Sequence, residues 1–397
     1  MSVVFINHPL ETWTPTGSGA LATIIWQCCR VAEGRAKEPQ DLPWVITRGS
    51  EAARFPWAQT LVLNPPRLPG HPLAVKTLRA HRKLTGWRHL RHRAYAFQVV
   101  QALRRNGLHT RPLVLINDPE MTVYLRRHFP QATILHWFEN QLESSPRFRR
   151  LYPAAADVTA GVSDFTSRWV ADYYKMDDVP TIYNGVDLDQ FHPAEAQRAE
   201  MAQESKAAET PSVSFVGRTG IEKAPDLLLR AALTLSEKTT GFRVLLIGSN
   251  HWDRFELDDY QRELQRLAST LEARGVAVLR PGHVGRDALP DALRRARIHA
   301  VTSRWDEPFG LTTVEGMASG LALVASDTGG TPEVVGDAGF LFERDSADAL
   351  AARLEPLIAD AGLRADYGRK ARARAAEFPW ERTWGTLTSL LDMSPAQ

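Results

Sequence analysis

Short apolar runs alternate along this chain with segments whose apolar residues recur at helical spacing. That alternation predicts an α/β fold with mostly parallel sheets. In the first half, strands are predicted at 3–6, 44–47, 60–63, 113–117, 133–136, 158–160 and 181–183. In the second half they are predicted at 213–216, 243–247, 276–279, 298–302 and 321–325. One helix is expected from Asp226 onward, another opens near Leu311–Thr312 and stops at Gly320, and a last covers 381–391. Residues 194–210, rich in Ala, Glu and Gln, read as a surface helix or linker. A chain of 397 residues is too long for one ordinary core and suits two domains of about 200 residues each.

Composition narrows the class without naming it. With 44% hydrophobic and 24% charged residues, the chain reads as a soluble globular protein. A net charge of +2 argues against binding polyanions by bulk charge. The two cysteines, Cys28 and Cys29, are adjacent, a poor geometry for a structural disulfide, so a reducing cytoplasm is expected. The chain starts directly as a strand, without the pattern of a signal peptide, and no apolar run approaches the ~20 residues of a membrane span. Any membrane contact would be peripheral, at the inner face.

The distribution of charge is uneven. Residues 52–117 contain no acid and carry Arg54, Arg67, Lys76, Arg79, Arg82, Lys83, Arg88, Arg91, Arg93, Arg104, Arg105 and Arg111. Three readings stay open: a solvated helix face, docking on anionic lipid, or binding of a phosphorylated acceptor. Nucleic acid ranks low, because no recognition helix, zinc finger or stacking platform accompanies the charge.

The chemistry concentrates at 303–320, SRWDEPFGLTTVEGMASG. A strand delivers the backbone to a loop bent by Pro308 and Gly310, and a helix begins at once. Free N–H groups at such a helix start attract an anion such as a diphosphate. Glu307 and Glu315 frame it; carboxylates repel phosphate but accept hydrogen bonds from sugar or ribose hydroxyls. A second loop, Gly217-Arg218-Thr219-Gly220-Ile221-Glu222-Lys223, follows the strand at 213–216. Its guanidinium and ammonium suit a pyrophosphate and the charge that develops as a nucleoside diphosphate departs. In the first half, Gly17-Ser18-Gly19 opens a helix, His136 closes a predicted strand, and Asn117-Asp118-Pro119-Glu120 opens another helix.

Glu307-Pro308-Phe309-Gly310, with Glu315 eight positions after Glu307, resembles the E-x7-E element of retaining glycosyltransferases of family 4, which have the GT-B fold. The string YNGVDLDQFHP from Tyr183 is similarly characteristic, and GRTGIEKA matches the family's G-R-x4-K-G except that Ala224 replaces the last glycine. The resemblance implies two Rossmann-like domains whose parallel sheets face an interdomain cleft. Residues 1–187 would form the acceptor-side domain and 188–378 the donor domain, with the helix in 379–397 packing back on the first. Glu307 would hold the donor sugar, Glu315 the ribose, and Gly217, Arg218 and Lys223 the diphosphate with the backbone of Phe309, Gly310, Leu311 and Thr312. His283 and Val284 would grip the base, Gly17 and Gly19 would border the phosphates, and His136 would lie close to the sugar. The family often has Asp after that histidine, where Trp137 stands here, and a Gly-Gly pair where this chain has Gly-Ser-Gly. The implied reaction moves a sugar from a UDP- or GDP-sugar to an acceptor hydroxyl in glycoconjugate synthesis, with no metal or other cofactor. Asp187-x-Asp189 follows an Asn-Gly turn and is expected to cap it rather than bind metal. Alternatives are a nucleotide-sugar 2-epimerase of the same fold and a non-catalytic nucleotide-sugar or polyanion-binding protein.

Overall fold

The computed structural model describes residues 2–9, 11, 13, 19–48, 55–63, 90–195, 210–249 and 258–393. Gly17, the bases from Arg54 to Arg88 and most of the 194–210 segment lie outside the described residues. The chain forms two compact units, residues 1–184 with 380–397 and residues 185–379.

The first unit is built on β1 (Val4–Ile6), β2 (Trp44–Arg48), β3 (Gln59–Leu63), β4 (Leu113–Ile116), β5 (Ile134–Phe138) and β6 (Val158–Gly161). They make one parallel sheet in the order β3-β2-β1-β4-β5-β6. Val4 sits in register with Trp44 on one side and Leu113 on the other. The central strands are buried along their length, so they read as unbroken apolar runs. Tyr95, Val99 and Leu103, on one face of helix Leu90–Arg105, pack with Val4, Leu113 and Ile134. The final helix, Trp380–Met393, buries Trp380, Trp384, Leu387 and Leu391, and Trp384 meets Phe5 at 6.4 Å between ring centroids. Thr383 Oγ1 donates to the carbonyl of Tyr183 at 2.8 Å.

The second unit repeats the plan with β7 (Ser212–Val216), β8 (Arg243–Ile247), β9 (Ala277–Gly282), β10 (Ile298–Val301), β11 (Ala322–Ser326) and β12 (Gly339–Phe342). Its order, β12-β11-β10-β7-β8-β9, is again fully parallel. Leu227, Leu228, Ala231 and Leu235 of helix Pro225–Ser236 cover Val213, Phe215, Val244 and Leu246. In each sheet the first strand lies beside the fourth, so the chain leaves them in opposite directions. Ligands of doubly wound sheets bind outside the carboxyl ends of that strand pair. Two such edges exist, after β1 and β4 and after β7 and β10.

Several strand expectations need correction. Residues 181–183 form only an isolated bridge from Thr181 to Gly161, hemmed by Pro180, which lacks an N–H, and the turn at Asn184-Gly185. β12 was not expected; its apolar run is short and half-buried at the sheet edge. β9 runs on through Pro281, which an edge strand tolerates because one side needs no donor. β5 continues through Trp137 and Phe138, both fully buried, so His136 lies inside the strand and not at its end.

Candidate active site

In the second unit, the loops after β7 and β10 are stitched together. Arg304 sets a fork on Asp226, with Nη1 to Oδ1 and Nη2 to Oδ2 both 2.7 Å, and its Nε reaches Asp345 at 2.5 Å. Thr302 Oγ1 donates to the Lys223 carbonyl at 2.8 Å, and Arg304 N–H to the Glu222 carbonyl at 2.8 Å. Ala224 ends the first loop in the left-handed conformation, φ 51°, which explains the glycine of the resembled motif. An alanine there costs about 1 kcal/mol of strain, and Pro225 then opens the helix at its first position.

This frame presents Lys223 to Glu307. Glu307 Oε2 accepts from Lys223 Nζ at 2.6 Å, Ser303 Oγ at 2.7 Å and Trp305 Nε1 at 3.0 Å. Lys223 Nζ also lies 5.1 Å from the Trp305 ring centroid. Burial would raise the Glu307 carboxyl, but the Lys223 charge and the three donors outweigh it and hold the group below its ordinary value. Gly329, at φ 55°, runs so close that a Cβ there would stand 2.4 Å from the Glu307 carbonyl, and Gly330 N–H donates to that carbonyl at 2.7 Å.

Glu315 is buried in helix Leu311–Ala318. Its Oε1 pairs with Arg286 Nη2, while Oε2 is buried and meets no donor among the described residues. Burial raises this carboxyl, and the Arg286 charge and hydrogen bond work against that rise. Arg286 was not singled out in the sequence, although it follows His283-Val284 by two positions. Gly310, at φ 85°, caps the helix, leaving Leu311 and Thr312 to head it. Phe309 turns inward, with Phe378 across a T-shaped contact of 5.7 Å, so only its backbone can serve a ligand. Arg218 is exposed on its loop with no acid partner among the described residues. His283 is exposed and Val284 half-buried just past the end of β9. Four of the expected groups thus belong to one sheet edge: Lys223 touches Glu307, whereas Glu315 is paired with Arg286 and Arg218 stands apart.

Residues 196–374, nearly all of this unit, match the family model of glycosyl transferases group 1. That match spans just under half of the chain. Among the relatives of this chain is spore coat protein SA of Bacillus subtilis, 26% identical over 292 residues, covering 70% of this chain and 76% of the relative. The D-inositol 3-phosphate glycosyltransferase of Mycobacteroides abscessus is 35% identical over 213 residues, 53% of this chain and 45% of the relative. The chain thus spans about half the length of such inositol-phosphate relatives. Anabaena HepE, solved with UDP and glucose, superposes with a TM-score of 0.73 at 18% identity, covering 99% of this chain and 100% of that one. Sucrose-phosphate synthase of Thermosynechococcus elongatus gives 0.73 at 19% identity, covering 98% of each. These likenesses establish the fold, GT-B with two Rossmann-like units. No described helix is long and apolar enough to cross a membrane.

The protein carries a different chemistry at the edge of its first sheet. Asp118 caps helix Pro119–His128, its Oδ1 accepting from Met121 N–H at 2.9 Å. Its own N–H donates to His136 Nε2 at 2.8 Å, and His136 Nδ1 lies 2.6 Å from the Tyr152 hydroxyl. Since Nε2 accepts, the ring is neutral with its proton on Nδ1, and burial lowers its pKa to about 3. His136 therefore positions the Asp118 turn. Asp118 Oδ2 in turn stands 2.7 Å from His92 Nε2. His8, His92 and Asp118 place ligand atoms within 4.8 Å of one another, a set able to hold a metal ion. The hydrogen bond between His92 and Asp118 already satisfies two of the three.

Gly19 caps helix Ala20–Glu33, but its N–H is not open as the sequence suggests. Glu11 accepts from the backbone of Ala22 and Gly19, and burial still raises its carboxyl. Nearby Glu139 is wholly buried, with Asn184 Nδ2 donating to its Oε2 at 2.7 Å, and burial pushes it up to about 8. Between the ordinary carboxyl pKa and about 8, the folded chain holds a proton that the unfolded chain has lost. Stability from this group therefore falls as pH rises through that window, with a slope of at most ~1.4 kcal/mol per pH unit. His136 has the opposite sign, costing stability as pH drops from its ordinary 6.5 toward about 3. Glu139→Gln should flatten the decline in the urea midpoint between pH 6 and 8.5. An unchanged decline would remove Glu139 as its source.

Proposed function

We propose that the chain is a retaining glycosyltransferase that moves a sugar from a UDP- or GDP-sugar to an acceptor hydroxyl. Lys223 against Glu307, at the carboxyl edge of β7 and β10, carries this reading. Lys223 and Arg218 hold the diphosphate together with the N–H groups that head helix Leu311–Ala318. Glu307 accepts from the donor sugar's hydroxyls, and the unpartnered Oε2 of Glu315 accepts from a ribose hydroxyl. The bond from the anomeric carbon to the diphosphate oxygen breaks as the acceptor oxygen attacks the same face, and the leaving phosphate takes the acceptor's proton. Two cations and a helix start supply the positive charge for this departure, so no resident metal is required.

Glu307 suits an anchor better than a glycosidase-type acid. An acid needs a raised pKa, whereas this carboxylate is held low with one oxygen saturated by three donors. UDP-glucose and UDP in complexes of HepE support a uridine nucleotide for a neighbour of the same fold. A thermal-shift screen against UDP-, GDP- and ADP-sugars tests the donor. Saturation at a hundred times Kd adds about 2.7 kcal/mol, roughly 5–10 °C for a unit of this size. No shift with any nucleotide sugar would remove the reading. Epimerised donor after incubation without acceptor would replace it with the epimerase.

A further inference from the structure

We propose that the cavity at the carboxyl edge of the first sheet binds a polyhydroxylated ring that is neutral or amino-bearing, and discriminates against its phosphorylated counterpart. Calling that ring the acceptor rests on the transfer reading above; the charge selectivity does not.

The cavity opens where β1 and β4 diverge, at the position where doubly wound sheets hold ligands. Its volume of about 320 Å3 lies at the lower end of small-molecule sites, enough for one ring rather than a chain. Four acids line it, Glu11, Asp118, Glu120 and Glu143, together with His8 and His92, and no lysine or arginine does so among the described residues. Carboxylates accept hydrogen bonds and donate none, so they suit hydroxyls and ammonium groups. A phosphate brings up to two negative charges and acceptor oxygens, which repel the same lining.

A second observation points the same way. Two helices start at this cavity, and a helix start is the feature that would draw a phosphate in. Both starts are already served by the chain's own carboxylates. Glu11 accepts from the backbone at the head of helix Ala20–Glu33, and Asp118 caps helix Pro119–His128. A phosphate would have to displace a built-in anion to reach either set of N–H groups.

The test is calorimetric titration of the full chain, at pH 7.5 and low salt, with glucose, galactose and mannose, their 2-amino forms and their 6-phosphates. At least one neutral or amino ring should bind, with its 6-phosphate at least tenfold weaker. Glu143→Lys, at an exposed rim position, should narrow that gap at least threefold. A 6-phosphate binding as tightly as its parent, no binding by any neutral or amino ring, or a gap untouched by Glu143→Lys would each overturn the proposal. UDP-induced thermal shift in the same preparations reports separately on the second unit. Its absence, together with no shift by GDP or ADP, alongside the expected order of rings would sink the donor reading and leave this one standing.

Discussion

Replacing Lys223 with alanine should lower the rate of sugar transfer by two to three orders of magnitude. That is the usual loss, ~10²–10³, when one preorganised donor to a developing anion is removed. The mutation has a second consequence that separates this site from a surface ion pair. Glu307 keeps Ser303 and Trp305 as donors but loses the charge that most strongly lowers its carboxyl. Its pKa must therefore rise, and the variant should gain an acidic limb in its pH profile that the parent lacks. The two side chains are 22% and 9% exposed, which places the pair between a surface bridge and a buried one. A stability loss of about 2 kcal/mol follows, visible as a drop of several degrees in Tm. Lys223→Arg should keep the charge yet recover only part of the rate, since a planar fork cannot replace a compact ammonium 2.6 Å from Glu307. Near-parental turnover in Lys223→Ala would end the assignment.

The second sheet's edge was readable from sequence because its contacts are local. Glu307, Gly310 and Glu315 lie within one strand-loop-helix passage, and their spacing alone puts them at a helix start. Lys223 was readable because its loop leaves the strand that pairs with β10, a neighbour relation that strand order in doubly wound sheets supplies. Arg286 was missed for the converse reason: its partner is 29 positions away, and nothing in the sequence around it marks a buried acid waiting. His136 was misplaced by a boundary error of two residues. Trp137 and Phe138 extend β5 because both are buried, and the histidine thereby moves from a strand end into a positioning network with Asp118 and Tyr152. Glu11 shows the limit most clearly. A glycine-flanked helix start suggests open N–H groups, and only the fold reveals that a preceding carboxylate accepts from them.

These particulars give the two sheet edges opposite characters on the same topology. The second offers cations and an open helix start, features that attract a diphosphate. At the first, carboxylates serve the helix starts and acids line the cavity. A transferase that must keep a charged donor out of its acceptor site gains from such a contrast, because the acids of the first edge repel a diphosphate.

Glu307→Gln then distinguishes an anchor from a nucleophile. The amide keeps the size and planarity of the carboxylate and one oxygen that can still accept from Ser303 and Trp305. It removes the charge that Lys223 faces and that strengthens a hydrogen bond from a sugar hydroxyl. An anchor so weakened should lose about 2–3 kcal/mol of transition-state stabilisation, near a hundredfold in kcat/KM. The donor should still bind through its nucleotide, so the thermal shift induced by that nucleotide should persist. A nucleophile behaves otherwise: its loss stops turnover almost completely, and azide added to Glu307→Ala restores a glycosyl azide of inverted configuration. No such rescue is expected here. In the parent, Glu307 lies below its ordinary carboxyl pKa, so it contributes no change in rate from about pH 5 upward. Azide rescue, or an acidic limb in the parent that disappears in Glu307→Gln, would give the carboxylate a chemical role that its three donors argue against.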